Sequence, residues 1–391
     1  MGIAESGIPL SSYPRISFGE RVLCTEEVLD LANQDGLCST SECPEAPSPA
    51  FSGVHIAVNR FLRAVSVVLF LFLKREARMP RRKIVPHRLS VAALVVASSL
   101  LSSLLMAQEK QSAKVLELDH VSICGPDLDA LQKAFADAGM TPDLGGPHGN
   151  GVTQMALVGF EDQSYIELIS PIKPGVTEGS DWAKFMSADA GNCAWAVSTN
   201  VLLQDVDRLK KAGITVGEPK RGSRKRPDGM SLEWITAQVG PGTPGSVLPF
   251  SIEDQTPRVW RVQPSDSMKG APVFGIESVI VGVNDLNTGI ALFRKAYGWA
   301  EPLTETQKDF GKLAYFPGEP VILAAPANGG WLSDRLGHFG EGPVAFLLGT
   351  RDFPGTLKKY KLNNTKTWFG QKVTWFDPAK LKGARLGVIG Q

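Results

Sequence analysis

From residue 115 onward, short runs of alternating apolar and polar residues take turns with stretches of helical periodicity. A strand is predicted over 116–123 and a helix over 127–138, opened by Asp127 as N-cap and ended by Gly139. Strands follow at 152–160 and 163–170, and the turn-rich segment 141–151 reads as a loop. A second unit has a strand at 193–199, a helix at 205–212 ended by Gly213, and strands at 231–239 and 247–253. Within it, the run from Lys220 to Pro227 reads as a solvated basic hairpin, with an anion-steering lip as the functional alternative. Residues 256–272 are polar and Pro-containing, the composition of a linker.

The pattern then returns. Asp285-Leu286 matches Asp127-Leu128, and Phe293 stands eight residues beyond Asp285 as Phe135 does beyond Asp127. Strands follow at 312–316 and 320–325. A fourth, looser unit has a strand at 343–349, a helix near 353–360 and strands at 373–376 and 384–389. One such unit cannot cover its own sheet, so units should pair and share a core. The expected organisation is two paired-unit domains, 114–257 and 271–391.

Two apolar runs precede these units. Ala64–Leu73 is short for a membrane span. The run 91–107 follows Met79-Pro-Arg-Arg-Lys and ends on Ala107 before polar residues, the layout of a secretory signal peptide over 79–107. Residues 1–78 then read as a non-native or disordered leader, with translation beginning at Met79. The competing reading keeps the leader and makes 91–107 a membrane helix. Arg81-Arg82 loosely suggests a twin-arginine signal. Export would place the mature protein in the periplasm or outside the cell, with no stable membrane span after cleavage.

A chain of 391 residues with 43% hydrophobic composition has material for more than one core. Its net charge of +1 and the lack of nucleic-acid-reading motifs give no reason to expect a nucleic-acid partner. Cys24, Cys38 and Cys43 precede the cleavage point, and only Cys124 and Cys193 follow it. No CxxC pair occurs, so a thiolate zinc site is not indicated. The two later cysteines form one disulfide in an oxidising compartment or remain buried thiols.

Strand alternation groups Leu118, His120, Ser122 and Cys124 on one face, Tyr165 with Glu167 and Ile169, and Ser251 with Glu253. His120, Glu167 and Glu253 thus stand on three strands that could converge inside one cup. A two-histidine, one-carboxylate set would need His148, and only if its Gly-rich loop folds inward. The ordinary alternatives are a core histidine bonded to backbone and solvated strand-end acids. Glu167 and His148 are the candidates for moving a proton, and Tyr165 and Trp195 for an apolar pocket wall.

Asp119-His120-Val121, Pro126-Asp127-Leu128-Asp129, the loop from Gly145 to Gln154, and Tyr165-Ile166-Glu167-Leu168 together resemble the glyoxalase-like domain of the vicinal oxygen chelate superfamily. The resemblance covers roughly 117–255, while the second half shares only the βαβββ rhythm. It implies an α+β fold of paired βαβββ modules forming half-open barrels. It also implies a divalent metal (Zn, Fe, Mn or Ni) on His120, Glu167 and Glu253, and lyase, isomerase or dioxygenase chemistry on a small oxygenated molecule. The alternative on the same scaffold is a metal-free protein that binds or sequesters a small molecule. A fourth ligand, commonly histidine, is missing from Asn192–Val197, where Cys193 is the one soft donor. Ser278 stands in place of the strand histidine in the second half. Exchange of units between two chains, giving a homodimer, is a further implication.

Overall fold

The computed structural model describes residues 116–390 apart from Asn328; the leader 1–78 and the signal peptide 79–107 lie outside the described residues. The first half runs β1 (Glu117–Cys124), α1 (Leu128–Asp137), β2 (Asp143–Pro147), β3 (Thr153–Gly159) and β4 (Tyr165–Pro171). After a short α2 (Ala183–Met186) it repeats as β5 (Gly191–Ser198), α3 (Leu202–Lys211), β6 (Lys220–Lys225), β7 (Ser231–Ala237) and β8 (Phe250–Asp254). A one-turn α4 (Arg258–Arg261) leads to the second half. That half holds β9 (Val273–Gly282), α5 (Leu286–Tyr297), β10 (Leu303–Gln307), β11 (Gly311–Tyr315), β12 (Val321–Ala325), α6 (Trp331–Phe339), β13 (Gly342–Thr350), α7 (Phe353–Tyr360), β14 (Lys366–Trp368), β15 (Gln371–Trp375) and β16 (Leu386–Gly390).

Each half builds one eight-stranded mixed sheet, in the orders β2-β3-β4-β1-β5-β8-β7-β6 and β10-β11-β12-β9-β13-β16-β15-β14. Each sheet is two βαβββ modules joined back to back: β1 pairs β4 in parallel within its module and β5 antiparallel across to the next. The fold class is therefore the α+β arrangement of paired modules that the sequence pattern indicates. The helix starts repeat too: Asp127 accepts from Ala130 N–H, and Asp285 from Thr288 N–H, each satisfying an amide that the helix cannot.

In the first half the open sheet curls until its edges meet. His148 and Arg224 form an antiparallel bridge beyond β2, and Gly149 N–H donates to Ser223 O at 2.9 Å. Two glycines make this seam feasible. Gly146 has φ 97° and would place a Cβ 2.7 Å from Lys225 O, while a Cβ on Gly149 would come within 2.6 Å of Ser223 Oγ. Side chains at these positions would hold the edges apart.

One hydrophobic cluster lies against the helices and draws on both halves, from Val121, Phe135 and Trp195 to Phe293, Phe316 and Phe346. The inner side of the first sheet is different in kind: it carries His120, Tyr165 and Glu167. On the second sheet Ser278 replaces the histidine, and the positions matching Ser122 and Glu167 are apolar. Ile280 and Ile322 are register partners there, as Ser122 and Glu167 are in the first, and they join a cluster containing Phe310, Trp368 and Val373. Phe310 packs edge-on against Trp368 with ring centres 4.9 Å apart. This half therefore fills with aromatic rings the space that the first half keeps polar.

Strict alternation fails beside His120, and the failure matters. A register shift between Leu118 and His120 marks a bulge in β1. Leu118 consequently joins the core with Val121, whereas the sequence pattern puts it on the face of His120. The irregularity lets Asp119, completely buried, sit beside the ring of its neighbour.

Candidate functional site

A cavity of about 450 Å³ opens on the inner side of the first sheet. β1 contributes His120, β4 contributes Tyr165 and Glu167, β8 contributes Phe250 and Ile252, and the seam contributes His148, Asn150 and Arg224. His120 stacks on Tyr165 at 4.7 Å and meets the edge of Phe250 at 5.4 Å. Trp182, Trp234 and Met155 add apolar wall.

The polar centre is organised around Glu167. His148 Nε2 lies 3.3 Å from Glu167 Oε1, and His120 Nε2 lies 3.7 Å from Glu167 Oε2. Ser122 donates to Glu167 Oε2 at 2.9 Å. Burial works to raise the Glu167 carboxyl, but its contact with His148, the nearby His120 ring and the Ser122 hydroxyl bring it down to about 2. Glu167 is therefore a carboxylate at neutral pH.

His120 is fixed from behind. Its Nδ1 is 2.6 Å from Asp119 Oδ1. A carboxylate only accepts, so Nδ1 carries a proton toward Asp119 and Nε2 faces the cavity, a lone pair whenever the ring is neutral. At 3.7 Å from the carboxylate oxygen, that nitrogen is beyond hydrogen-bonding distance. Burial would raise the Asp119 carboxyl; the Arg261 guanidinium, bonding both its oxygens at 2.9 and 2.7 Å, overcomes this and holds it well below the ordinary range. Arg258 also donates to Asp119, and Arg261 to Asp254. Arg261 Nη1 further donates to the Tyr165 hydroxyl at 2.9 Å. Burial pushes the Tyr165 phenol upward; Arg261 opposes this, and Asp119 and Glu167 add to it, so the ring keeps its proton.

His148 has two consistent hydrogen-bonding states. Its Nδ1 lies 2.8 Å from Thr153 Oγ1, which is in contact with both the Asn150 amide nitrogen at 3.0 Å and its oxygen at 3.3 Å. If Thr153 donates to His148, Nε2 carries the proton toward Glu167. If Thr153 donates to Asn150, Nδ1 carries it and Nε2 becomes a second lone pair facing the carboxylate.

The structure thus brings together His120, Glu167 and His148, with the Gly-rich loop folded inward by the seam. It does not bring Glu253 to them. On β8 it is Phe250 and Ile252 that line the cavity, so Ser251 and Glu253 face the opposite way. The Glu253 carboxylate accepts from Leu202 N–H at 2.8 Å, at the start of α3, where Val201 offers no capping side chain. Period-two alternation groups Ser251 with Glu253 correctly but does not say which face looks inward. Cys193 is not a free donor either: it is disulfide-bonded to Cys124, joining β5 to β1. Ala196, the register partner of His120, offers no donor and packs with Phe250 and Ile252. Trp195 packs in the shared core rather than in the cavity wall.

Several residues of the site lie where the sequence pattern gives no strand or helix. Arg258 and Arg261 belong to the stretch with linker composition, and Arg224 to the one that reads as a solvated hairpin, yet Arg224 and Arg261 are 5% and 4% exposed. For Arg258 and Arg261 the signal is the buried acid at Asp119, which requires a cation from elsewhere in the chain.

Residues 118–296 match the glyoxalase-like domain family. No curated protein matches the chain. Among solved structures, a hypothetical protein from Staphylococcus aureus is 13% identical, aligned over 70% of this chain and 99% of its own, with a TM-score of 0.47. Methylmalonyl-CoA epimerase from Mycobacterium tuberculosis is 18% identical over 30% of this chain and 89% of its own, with a TM-score of 0.27. A xylose isomerase-like TIM barrel/4-hydroxyphenylpyruvate dioxygenase fusion protein is 11% identical over 70% of this chain and 48% of its own, with a TM-score of 0.44. The match over residues 118–296 to the glyoxalase-like domain thus falls on the half whose paired βαβββ modules form the curled sheet around the cavity and runs on into the third module.

Proposed function

We propose that the cavity is the active site of a metal-dependent enzyme, a lyase, isomerase or dioxygenase, acting on a small oxygenated organic molecule. His120, His148 and Glu167 would hold the ion. The observation that carries this reading is the convergence of His120 Nε2 and His148 Nε2 on the Glu167 carboxylate, at 3.7 and 3.3 Å. Two imidazoles and one carboxylate suit Zn, Fe, Mn or Ni and leave positions for substrate oxygens. A bound divalent ion supplies polarisation of neighbouring substrate oxygens and stabilises negative charge that develops on them. The chain's own contributions are separate. Ser122 orients Glu167, Asp119 fixes the His120 tautomer, and Tyr165 presents a protonated hydroxyl beside the His120 ring. Phe250, Trp234 and Trp182 exclude water from the walls.

Elemental analysis of protein purified without a histidine tag tests the proposal. About one equivalent of a transition metal is expected, lost in His120→Ala and His148→Ala. Protein that retains no transition metal, and binds none at micromolar concentration, would overturn it.

A second reading has its own support. Among the described residues, no group of three His, Cys, Asp or Glu side chains stands at spacing ready for an ion. The Asn150–Thr153–His148–Glu167 chain also closes without one when Nε2 of His148 carries the proton. On that reading the cavity binds a small molecule without a metal.

We also propose that the protein is exported. The basic-apolar-small order of 79–107 supports this, as does the Cys124–Cys193 disulfide, a bond that persists in oxidising compartments. Mass spectrometry of the native protein should find Gln108 at the N-terminus and no peptide from residues 1–70.

A further inference from the structure

We infer that the molecule taken by this cavity is a small organic anion, with an apolar body on Phe250, Trp182 and Trp234 and its acidic group on Arg224. The inference rests on the reading of the cavity as a small-molecule site, but not on the metal.

Arg224 and Arg261 line the cavity, Arg258 joins Arg261 on Asp119, and two of these three arginines are accounted for. Arg261 is bonded to Asp119 and Asp254, and Arg258 to Asp119. Arg224 is different. It is 5% exposed and lines the cavity, yet among the described residues no carboxylate forms an ion pair with it. Its Nη1 donates to Gly145 O and its Nη2 to Arg261 O at 3.2 Å. Those bonds use two of its five N–H groups and neutralise none of its charge. A buried cation without an anion is costly, and burial indeed lowers the Arg224 pKa from its ordinary value. The fold nevertheless holds it in place: the backbone bridge with His148 seats it at the barrel seam, and its Nη1 is anchored on the Gly145 carbonyl.

Neither a structural pin nor an ion pair accounts for this guanidinium: the Glu167 charge favours it, but among the described residues no carboxylate bonds it. Pinning the two carbonyls alone would be met by a neutral donor such as Gln. Glu167 is already committed, since that carboxylate contacts both histidines and Ser122. The mouth of the cavity carries Lys220 and Arg221 together with Glu218 and Asp181, so its rim is mixed in sign and does not itself select an anion. Selection is therefore assigned to the floor, where the guanidinium is held in fixed orientation and matches a planar carboxylate or a phosphate oxygen pair.

The test uses the full chain stripped with EDTA, so that a metal ligand cannot stand in for Arg224. Benzoate, phenyl phosphate, benzamide and benzyl alcohol are titrated, with tryptophan fluorescence and calorimetry as readouts. At least one of the two anions should bind on the order of thirtyfold more tightly than benzamide, as expected for a buried charge pair against a neutral isostere. Which anion binds identifies a carboxylate or a phosphate ester as the acidic group. Arg224→Gln should abolish the preference, Arg224→Lys should keep part of it, and Arg221→Gln at the rim should leave it in place. Equal binding of benzoate, phenyl phosphate and benzamide to the wild-type protein, or no binding of any, overturns the inference without recourse to a variant. Loss of the metal reading alone would appear in elemental analysis and leave this preference intact.

Discussion

Asp119 Oδ1 stands 2.6 Å from His120 Nδ1, and the same carboxylate is held by Arg261 through both oxygens. The acid therefore does two things at once: it fixes which imidazole nitrogen faces the cavity, and it neutralises a buried cation. Asp119→Asn should separate from His120→Ala on this basis. Loss of the tautomer lock is expected to weaken metal binding by about 10–100-fold. Loss of the charge should also cost about 3 kcal/mol in stability, because Arg261 keeps only Asp254. Chelator competition reads the first effect and urea unfolding the second. A variant with both values at wild-type level would show that the pair orients nothing.

The fold turns Glu253 away from His120 and Glu167 and brings His148 to them, and this gives a second prediction. Glu253→Ala should leave metal content unchanged and lower stability by about 1 kcal/mol, through loss of the bond to the Leu202 amide at the start of α3. His148→Ala should remove the metal with little effect on folding, since the ring is bonded only through Thr153 and Glu167. Metal analysis beside a melting curve for each variant decides. A metal that survives His148→Ala and is lost in Glu253→Ala would restore the set read from strand alternation.

The interior of the fold is legible in the sequence because interior strands are buried. β1, β4 and β5 carry the apolar runs that a fully packed strand needs, and Asp127 and Asp285 announce the two repeated helices. The strands that pass unseen are β2, β6, β10 and β14, the four sheet edges. An edge strand has one neighbour and an exposed flank, so LTETQ and KRGSRK have no hydrophobic period to betray them. The candidate site suffers directly, because His148 and Arg224 sit where two such edges meet. Their convergence depends on glycines at a seam closing across 79 residues, from Gly145 to Arg224, which no local pattern encodes. Asp119 escapes for another reason: the bulge beside it breaks the alternation on which face assignments depend.

Acid should loosen the first half in a defined window. In the metal-stripped protein Glu167 has a folded pKa of about 2 against an ordinary value of 4.5, and Asp119 is likewise held low. A depressed folded pKa means that the unfolded chain binds protons first. The stability these acids contribute is complete above their unfolded values and is lost as pH falls from about 4.5 toward about 2. Asp162 and Glu277, whose carboxyls are raised by burial, run the other way, so the informative comparison is with a variant. Urea midpoints followed by circular dichroism should fall less steeply through this range in Glu167→Gln than in the wild-type protein. Parallel pH profiles would show that Glu167 carries no linked proton.

The Cys124–Cys193 disulfide ties β1 to β5 two residues beyond Ser122, on the strand that also carries His120. It closes a loop whose ends are 69 residues apart in sequence, and by chain entropy such a loop contributes roughly 4 kcal/mol. Both sulfurs are buried with Met186 and Ile169, so the reduced pair would still pack and the cost should fall mainly on the unfolded state. Cys124→Ser/Cys193→Ser is accordingly expected to fold, bind metal, and unfold at lower urea concentration by about 2–4 kcal/mol. Peptide mapping without reductant should recover the two cysteines in one linked fragment. Free thiols in protein from an oxidising compartment, with no change in stability on mutation, would remove the bond from the account of the fold and withdraw its support for export.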